Sequence, residues 1–494
     1  MQRKDEISMK TIYLQTVPTE KWAMVYQNDS LEQVLIERPE EKSLIGNIYK
    51  GRIVNIESSL QAAFVDFGQP KLGFLKKQEI PEARKDTSKP IERVVHEGQQ
   101  VWVQVMKDAY DQKGAQLTAN VTLPGRNLVY LPFGNYFAVS RKMTDEQRSH
   151  LKAWAGEACQ SEEGLIFRTH SAEVSLEELE RELGSLRERW TNLSKQYRNE
   201  KPPKTILEDF DIPDRLLRRF PEGDIESILV DNLDMKQRIQ KRIPELGKKT
   251  KWVADIQNHM PFSAESISEK LLTRTITLDS GAQLVIDQTE AMVVMDVNTA
   301  KHTNTSNKKN SVLKTNQEAA KEAAKQIRLR NLSGMILIDF IDMKDEKDQE
   351  RVVSYFKKQL RQDYVRTQIF GFTRLGILEM TRKREAPSLS SVLGKDHSQS
   401  TMMSRASEAY QLERMLLSYQ SNDQDIIAIE AHPDVIEAFK ERIDMKKLKS
   451  ILYKDVYVLN NRESHVPFRI IHVGNVATLE ERSFYKENVL DRLF

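Results

Sequence analysis

From Thr11 to Glu37 apolar and polar residues alternate, the period of half-buried strands, and this stretch predicts a pair of β-strands. From Gly46 to about Val121 come four short apolar runs, NIYKGRIVNI, QAAFVDFG, KLGFLKK and QQVWVQVMK, with Gly51, Gly68, Gly73 and Gly98 marking turns. Short strands at that spacing predict a small closed β-barrel. Asn127 to Ala172 reads as mixed strand and short helix. Leu176, Leu179, Leu183, Leu186, Trp190, Leu193 and Tyr197 then recur at alternating intervals of three and four. They predict one long helix with an apolar seam, ended by Pro202-Pro203. Lys204 to Lys270 looks helix-rich and chemically quiet.

Strand periods return at LLTRTITL, QLVIDQ and AMVVMDVN, followed by a polar loop from Asn304 to Ser311. A helix is expected from about Thr315 to Leu332, with Thr315 and Glu318 as its capping box. MILIDFIDM is apolar enough for a strand buried on both faces. A helix from about Lys347 to Gln362 leads to the strand QIFGF, and this strand–helix alternation predicts an α/β domain. Pro387 to Ser404 reads as a linker. From Asp425 the tail predicts a small α+β unit.

Composition narrows the class. Among 494 residues there is no apolar run long enough to cross a bilayer, and the N-terminus shows no secretory signal. Cys159 is the only cysteine, which excludes disulfide scaffolds and multi-cysteine zinc sites and suggests a reducing, cytoplasmic setting. Net charge is only +2, but its distribution is uneven. Lys301 to Arg330 holds eight Lys/Arg against Glu318 and Glu322, and Lys357 to Arg384 holds eight against Asp363 and Glu379. Such blocks can hold phosphates or simply solvate helix faces. In the barrel, Phe64, Phe67 and Phe74 lie near Lys50, Arg52 and Lys71. Rings beside cations suit unpaired bases and phosphates, although each ring could equally be core.

The candidate chemistry lies at two strand ends. MVVMDVN places Asp296 and Asn298 on one face, and ILIDFID places Asp339, with Asp342 just beyond. A carboxylate inside an apolar strand needs compensation. Two carboxylates with water and phosphate oxygens suit magnesium. An internal salt bridge to Arg328 or Arg330 would serve equally, and the residues alone leave both readings open. Gly247-Lys248 lacks the earlier glycine of a phosphate loop, having Arg242 there. His302, a lone loop histidine near Asp296, is weak as a general base.

EAMVVMDVNTAKHT, TNQEAAKEAAKQIRLRNLSGMILIDFIDM and RLGILEMTRKR resemble the catalytic segment of the bacterial ribonuclease E/G family in order and spacing. KGRIVNIESSLQAAFVDFG with GFL, and KGAQLTANVTLPGRNLV with GLIFRT, extend the resemblance toward the N-terminus. The resemblance implies an α/β multidomain protein with an RNase H-like domain in two parts, 1–36 and 213–271. An OB-fold RNA-binding barrel of the ribosomal S-one type (37–124) and a 5′-monophosphate sensor (125–212) would be inserted between them. A DNase I-like catalytic subdomain (272–390), a linker (391–412) and a small C-terminal domain (413–494) would follow.

The resemblance also implies roles. Asp296 and Asp339 would hold magnesium, with manganese a substitute, and Asn298 would bond the scissile phosphate or the attacking water. Arg168 and Thr169 would bind the 5′-phosphate, with backbone and apolar contact from Gly125 and Val129. Phe64, Phe74 and Lys113 would grip single-stranded RNA. The expected function is endoribonuclease cleavage leaving 5′-phosphate and 3′-hydroxyl ends, in ribosomal RNA processing or messenger RNA decay. The alternative is a non-catalytic RNA-binding or ribosome-associated factor. One departure stands out. Where the family has a C-P-x-C zinc link between subunits, this chain reads VLGKDHSQSTMMSR, so any homodimer or higher oligomer would not be zinc-linked. The length is that of the shorter, ribonuclease G-like members.

Overall fold

The structure, a computed structural model, describes residues 9–41, 43–109, 113–140, 143–160, 162–209, 211–299, 308–395, 402–482 and 490–494. It divides into two compact units, Met1–Pro39 with Gly223–Phe494, and Glu40–Glu222. The alternating N-terminal stretch forms three strands rather than two, β1 (Lys10–Gln15), β2 (Lys21–Gln27) and β3 (Ser30–Glu37). Asn28 and Asp29, both at positive φ, make the tight turn between β2 and β3. That hairpin carries no glycine and so left little trace in the sequence.

In the second unit, β4 (Ile48–Glu57), β5 (Ala62–Asp66), β6 (Gly73–Lys76), the short helix α1 (Pro81–Lys85), β7 (Gln100–Lys107) and β8 (Gln116–Thr118) build the barrel. Pairing of β4 with β7 closes it. Tyr49, Ile53, Val65, Phe67 and Leu117 fill its interior. Beyond it lie β9 (Leu123–Pro124), β10 (Leu128–Leu131), β11 (Phe137–Val139), α2 (Asp145–Ala158) and β12 (Gly164–Phe167). The four strands form one sheet in the order β11-β12-β10-β9. Helix α3 (Leu176–Tyr197) carries the apolar seam and lays Leu179, Leu183 and Leu186 against the core of that sheet. Strand β13 (Lys204–Leu207) returns to pair with β4.

In the first unit, the stretch expected to be helix-rich contains two strands, β14 (Ile225–Val230) and β15 (Thr250–Trp252), separated by α4 (Leu233–Arg242) and α5 (Pro244–Gly247). Both run parallel to β1, giving the sheet order β15-β14-β1-β2-β3. β15 has only three residues, and the six of β14, IESILV, do not alternate. Helix α6 (Ala264–Leu272) takes Leu271 and Leu272 out of the expected strand and buries them with Ile267 against this sheet.

The second sheet of this unit comprises β16 (Thr275–Thr277), β17 (Gln283–Gln288), β18 (Met292–Asn298), β19 (Gly334–Asp339), β20 (Thr367–Phe372) and β21 (Ile377–Arg382), with α7 (Lys308–Leu329) and α8 (Glu346–Leu360) between strands. Its order is β16-β17-β18-β19-β21-β20, with β18 and β19 parallel. Helix α7 already runs at Lys308, so Thr315 does not cap it. Glu318 instead accepts a hydrogen bond from the Ser280 N–H at 3.1 Å. His302 lies outside the described residues.

After β21 the expected linker contains a short helix, α9 (Leu389–Leu393), with both terminal leucines buried. The tail is α10 (Arg405–Leu417), β22 (Ile426–Ala431), α11 (Pro433–Arg442), α12 (Met445–Leu452), β23 (Asp455–Asn460), β24 (Phe468–Gly474), α13 (Val476–Glu480) and β25 (Leu490–Arg492). Among the described residues no helix is long and apolar enough to cross a membrane.

A buried ion cluster fastens α10 to the N-terminal sheet. Glu20 pairs with Arg38 at 2.7 Å and with Arg414, and accepts the Trp22 indole N–H at 2.7 Å. Burial alone would raise the Glu20 pKa, but the Arg414 and Arg38 guanidiniums and the indole overcome it and hold the carboxyl below its usual value. The group then contributes stability above the unfolded glutamate pKa, about 4.3, and loses it as pH falls through the lower folded value. Thermal unfolding scanned from pH 7 to pH 3 should show a midpoint that drops in acid. In Glu20→Gln the midpoint is expected to start lower and to fall less.

Candidate active site and RNA-binding surfaces

Strands β18 and β19 alternate strictly. Met295, Val297, Ile336 and Ile338 point into the core, where the small face of α7 (Ala319, Ala320, Ala323) lets helix and sheet approach closely. Among the described residues nothing covers the opposite face. Met335 is 49% exposed and Asp339 is exposed, so β19 is not buried on both sides as its composition suggested. Leu337 and Met335 are apolar residues left on an open face, which a run of letters does not reveal.

Asp296 and Asp339 lie on that open face as register partners across the parallel pair. Neighbouring strands are roughly 4.8 Å apart, so the two carboxylates converge on one volume. Asn298, two residues beyond Asp296 on the same side, donates its amide N–H to Asp296 Oδ2 at 2.8 Å. The Asp339 pKa is raised, by partial desolvation and then by the charges of Asp296 and Asp342. A cation between the carboxylates would relieve that repulsion.

The salt-bridge alternative fails on placement. Arg328 bonds Glu32, Gln362 and the Gln359 carbonyl, while Arg330 bonds Gln326 and the Lys270 carbonyl. Among the described residues no basic side chain pairs with Asp296 or Asp339, and no group of three or more His, Cys, Asp or Glu could cage a metal. Two carboxylates on an open face fit a cation that keeps water and phosphate as its remaining ligands, the habit of magnesium.

The basic blocks divide. Arg382 is buried in an ion pair with Asp363 at 2.7 Å, and Arg328 and Arg330 hold helix ends. Lys357, Lys358, Arg361, Arg366 and Arg374 remain exposed. In the barrel, Phe67 is core, whereas Phe64 and Phe74 are half-buried cross-strand partners with ring centroids 5.8 Å apart. Lys113 is exposed. Lys50 is buried and donates to the Arg198 carbonyl at 2.7 Å, so it is structural rather than phosphate-facing.

The segment PGRNL wraps a carboxylate. Glu182 on α3 accepts the backbone N–H groups of Arg126, Asn127 and Leu128 at 2.5, 3.0 and 3.3 Å. A Cβ on Gly125 would sit 2.1 Å from Glu182 Oε1, so a side chain there would displace the carboxylate that this segment wraps. Val129 is half-buried on β10, beside Leu128, which pairs with Phe167 next to Arg168. The Arg168 backbone N–H donates to the Asn127 carbonyl at 2.9 Å, which draws Gly125, Val129 and Arg168 together. Among the described residues the Arg168 Nε is out of solvent with no hydrogen-bond partner. Its pKa is lowered to about 10 by burial and by Arg218 and Arg219, partly offset by Glu182 and Asp209. Thr169 Oγ1 shares a 2.8 Å hydrogen bond with Ser140 Oγ. A guanidinium with an unused N–H and like charges nearby has the chemistry to accept an anion.

Residues 122–385, more than half of the 494, match the model of the ribonuclease E/G family, and residues 43–120 match the S1 RNA binding domain. The chain belongs to the ribonuclease E/G family. It is 33% identical to ribonuclease G of Salmonella typhimurium over 87% of this chain and 92% of that protein. With ribonuclease G of Haemophilus influenzae it shares 30% over 97% of this chain and 98% of that protein. With ribonuclease E of Nostoc sp. it shares 33% over 75% of this chain but 56% of that protein. The chain is thus a mixed α/β multidomain ribonuclease with an S1 barrel.

Two features of this ribonuclease E/G member escaped the sequence reading. Asn316, fully buried on α7, bonds both the carbonyl (2.7 Å) and the N–H (3.1 Å) of Ile341, pinning the backbone between Asp339 and Asp342. Its signal was a polar residue on the alanine stripe, in step with Ala319, Ala320 and Ala323. Arg218 and Arg219 bear on Arg168 from some fifty residues downstream, a proximity that no local pattern encodes.

Proposed function

We propose that this chain hydrolyses single-stranded RNA internally, leaving 5′-phosphate and 3′-hydroxyl ends, with magnesium at Asp296 and Asp339. The observation that carries this reading is the register pair Asp296–Asp339 on an open sheet face with Asn298 tied to it. When bound there, magnesium would polarise the phosphodiester and acidify a water ligand, and manganese would serve in its place. Asp296 holds the Asn298 amide, leaving its remaining N–H to donate to a phosphate oxygen and its oxygen to accept from the attacking water. Asn316 fixes the turn that follows Asp339.

The barrel supports the preference for unpaired RNA, because bases can stack on half-buried surface rings such as Phe64 and Phe74 while cations such as Lys113 hold the backbone. Each of Phe64→Ala and Phe74→Ala should weaken binding of a single-stranded oligoribonucleotide by about 1–3 kcal/mol without lowering the unfolding temperature, checked by titration calorimetry and thermal denaturation. In the sensor, Arg168 and Thr169 would take a 5′-monophosphate, beside Gly125 and Val129, and so favour monophosphorylated substrates. The sheet order β15-β14-β1-β2-β3, with three parallel strands beside a hairpin, supports an RNase H-like first domain. The mixed sheet of β16–β21 supports a DNase I-like catalytic one. Ribosomal RNA precursors and messenger RNA are the proposed substrates. Any assembly of subunits would rest on surfaces other than a zinc link.

Incubation of the purified chain with single-stranded RNA and magnesium tests this reading. The fragments should accept a 3′-adapter without phosphatase treatment and carry ligatable 5′-phosphates. Fragments ending in 2′,3′-cyclic phosphate would overturn it, because the RNA 2′-hydroxyl rather than water would then be the nucleophile.

A further inference from the structure

At the carboxyl ends of the three parallel strands β1, β14 and β15 the structure has a cavity of about 530 Å³, separate from the catalytic sheet. Its size falls in the range of small-molecule sites, roughly 300–1,000 Å³. Strand β1 continues to β2 on one side and β14 to β15 on the other, so the cavity lies where the strand order reverses. Such switch points leave a crevice in open parallel sheets.

Three observations define what would fit. Gln15, at the end of β1, lines the cavity at 4% exposure, and among the described residues its Oε1 is out of solvent with no hydrogen-bond partner. A buried carboxamide without partners is costly, and rotation about its last side-chain bond can present both a donor and an acceptor to a ligand. Two aromatic side chains also line the cavity while remaining open to solvent, Trp252 at 44% and Tyr453 at 83%. The indole is held in place by its N–H on the Asp231 carbonyl at 3.3 Å. Tyr453 occupies a left-handed position (φ 54°) at the end of α12, unusual for a bulky residue. Finally, the carboxylates of Asp231 and Asp255 lie in the wall. Asp231 is locked onto the Thr16 and Val17 N–H groups at 2.8 and 3.1 Å. Both charges disfavour a phosphate inside, whereas Lys447, also lining the cavity, is exposed.

We propose that this cavity binds a nucleoside unit, its base lying against Trp252 and Tyr453 and its hydrogen-bonding edge read by Gln15. An amide pairs with base edges that offer one donor and one acceptor, as adenine does. Linking phosphates stay outside, near Lys447. The nucleoside is either an unpaired residue of an RNA chain or a free nucleoside. The proposal does not depend on the cleavage reading, because binding is its readout.

The test titrates the full chain carrying Asp296→Asn, so that RNA is not consumed, with adenosine and with unphosphorylated pentaadenylate, and repeats this with Trp252→Ala, Tyr453→Asn or Gln15→Leu added. Tyr453→Asn keeps a residue that tolerates the left-handed backbone, and both aromatic positions are exposed, so folding is not at stake there. Each added change should weaken binding of at least one probe by about tenfold or more. Loss confined to pentaadenylate identifies an RNA residue as the occupant, and loss for adenosine identifies a free nucleoside. Equal binding of both probes by the parent and both aromatic variants, or no binding of either probe by the parent, overturns the proposal.

Discussion

Asp296→Asn and Asp339→Asn should each slow RNA cleavage by roughly a thousandfold or more, about 4 kcal/mol of barrier, while leaving the fold intact. The substitution keeps shape and one hydrogen-bonding oxygen but removes the charge that would hold the cation. Neither residue is core, since the apolar neighbours on each strand, Met295, Val297 and Ile338, carry the packing. Asp339 also faces repulsion from Asp296 and Asp342, so neutralising it relieves a strain rather than creating one. The expected signature is therefore lost cleavage with an unchanged or slightly raised unfolding temperature. Gel-based cleavage rates and a thermal scan on the same samples measure both. A structural carboxylate would give the reverse, lower stability with residual activity.

Arg168→Ala should reduce cleavage of 5′-monophosphorylated RNA by roughly 2 kcal/mol or more, about thirtyfold, and leave 5′-triphosphorylated or circular RNA nearly unaffected. The Arg168 guanidinium is desolvated, crowded by Arg218 and Arg219, and holds an unpartnered Nε. A thermal scan of the variant beside the wild-type chain separates lost end recognition from lost packing. Substrates matched in sequence and differing only at the 5′ end give the comparison. An equal loss on all of them would remove Arg168 from end recognition.

Much of this was legible in the sequence for identifiable reasons. The barrel was visible because glycines punctuate strands with clear alternation, and the long α3 because a three–four apolar spacing has no other reading. Asp296 and Asp339 were visible as acidic residues closing apolar strands. Whether they faced each other was not, because the Asp296–Asp339 register depends on strands joined through α7. Strands β14 and β15 were missed because IESILV does not alternate and TKW has only three residues. The helix start at Lys308 was missed because Thr315 and Glu318 imitate a cap inside a polar stretch. Composition assigned three phenylalanines equally. Only the register separates the packed Phe67 from the outward pair Phe64 and Phe74. The cavity at the end of β1 left no sequence signal, since Gln15, Trp252 and Tyr453 are far apart along the chain.

Where the resemblance would place a C-P-x-C pair, VLGKDHSQSTMMSR has no cysteine. At the base of that stretch the Lys395 N–H donates to the Met402 carbonyl and the Ser404 N–H to the Leu393 carbonyl, at 3.0 and 2.9 Å, so its two flanks pair with each other.

A magnesium site at Asp296 and Asp339 makes RNA hydrolysis depend on both the metal and the carboxylates. A short, single-stranded, 5′-monophosphorylated RNA is incubated with the wild-type chain in magnesium, the wild-type chain in EDTA, and Asp296→Asn in magnesium. Cutting in the first reaction alone is the predicted result. Cutting that persists in EDTA or in Asp296→Asn, or RNA bound but left whole by the wild-type chain in magnesium, would contradict it, the last outcome pointing to an RNA-binding factor.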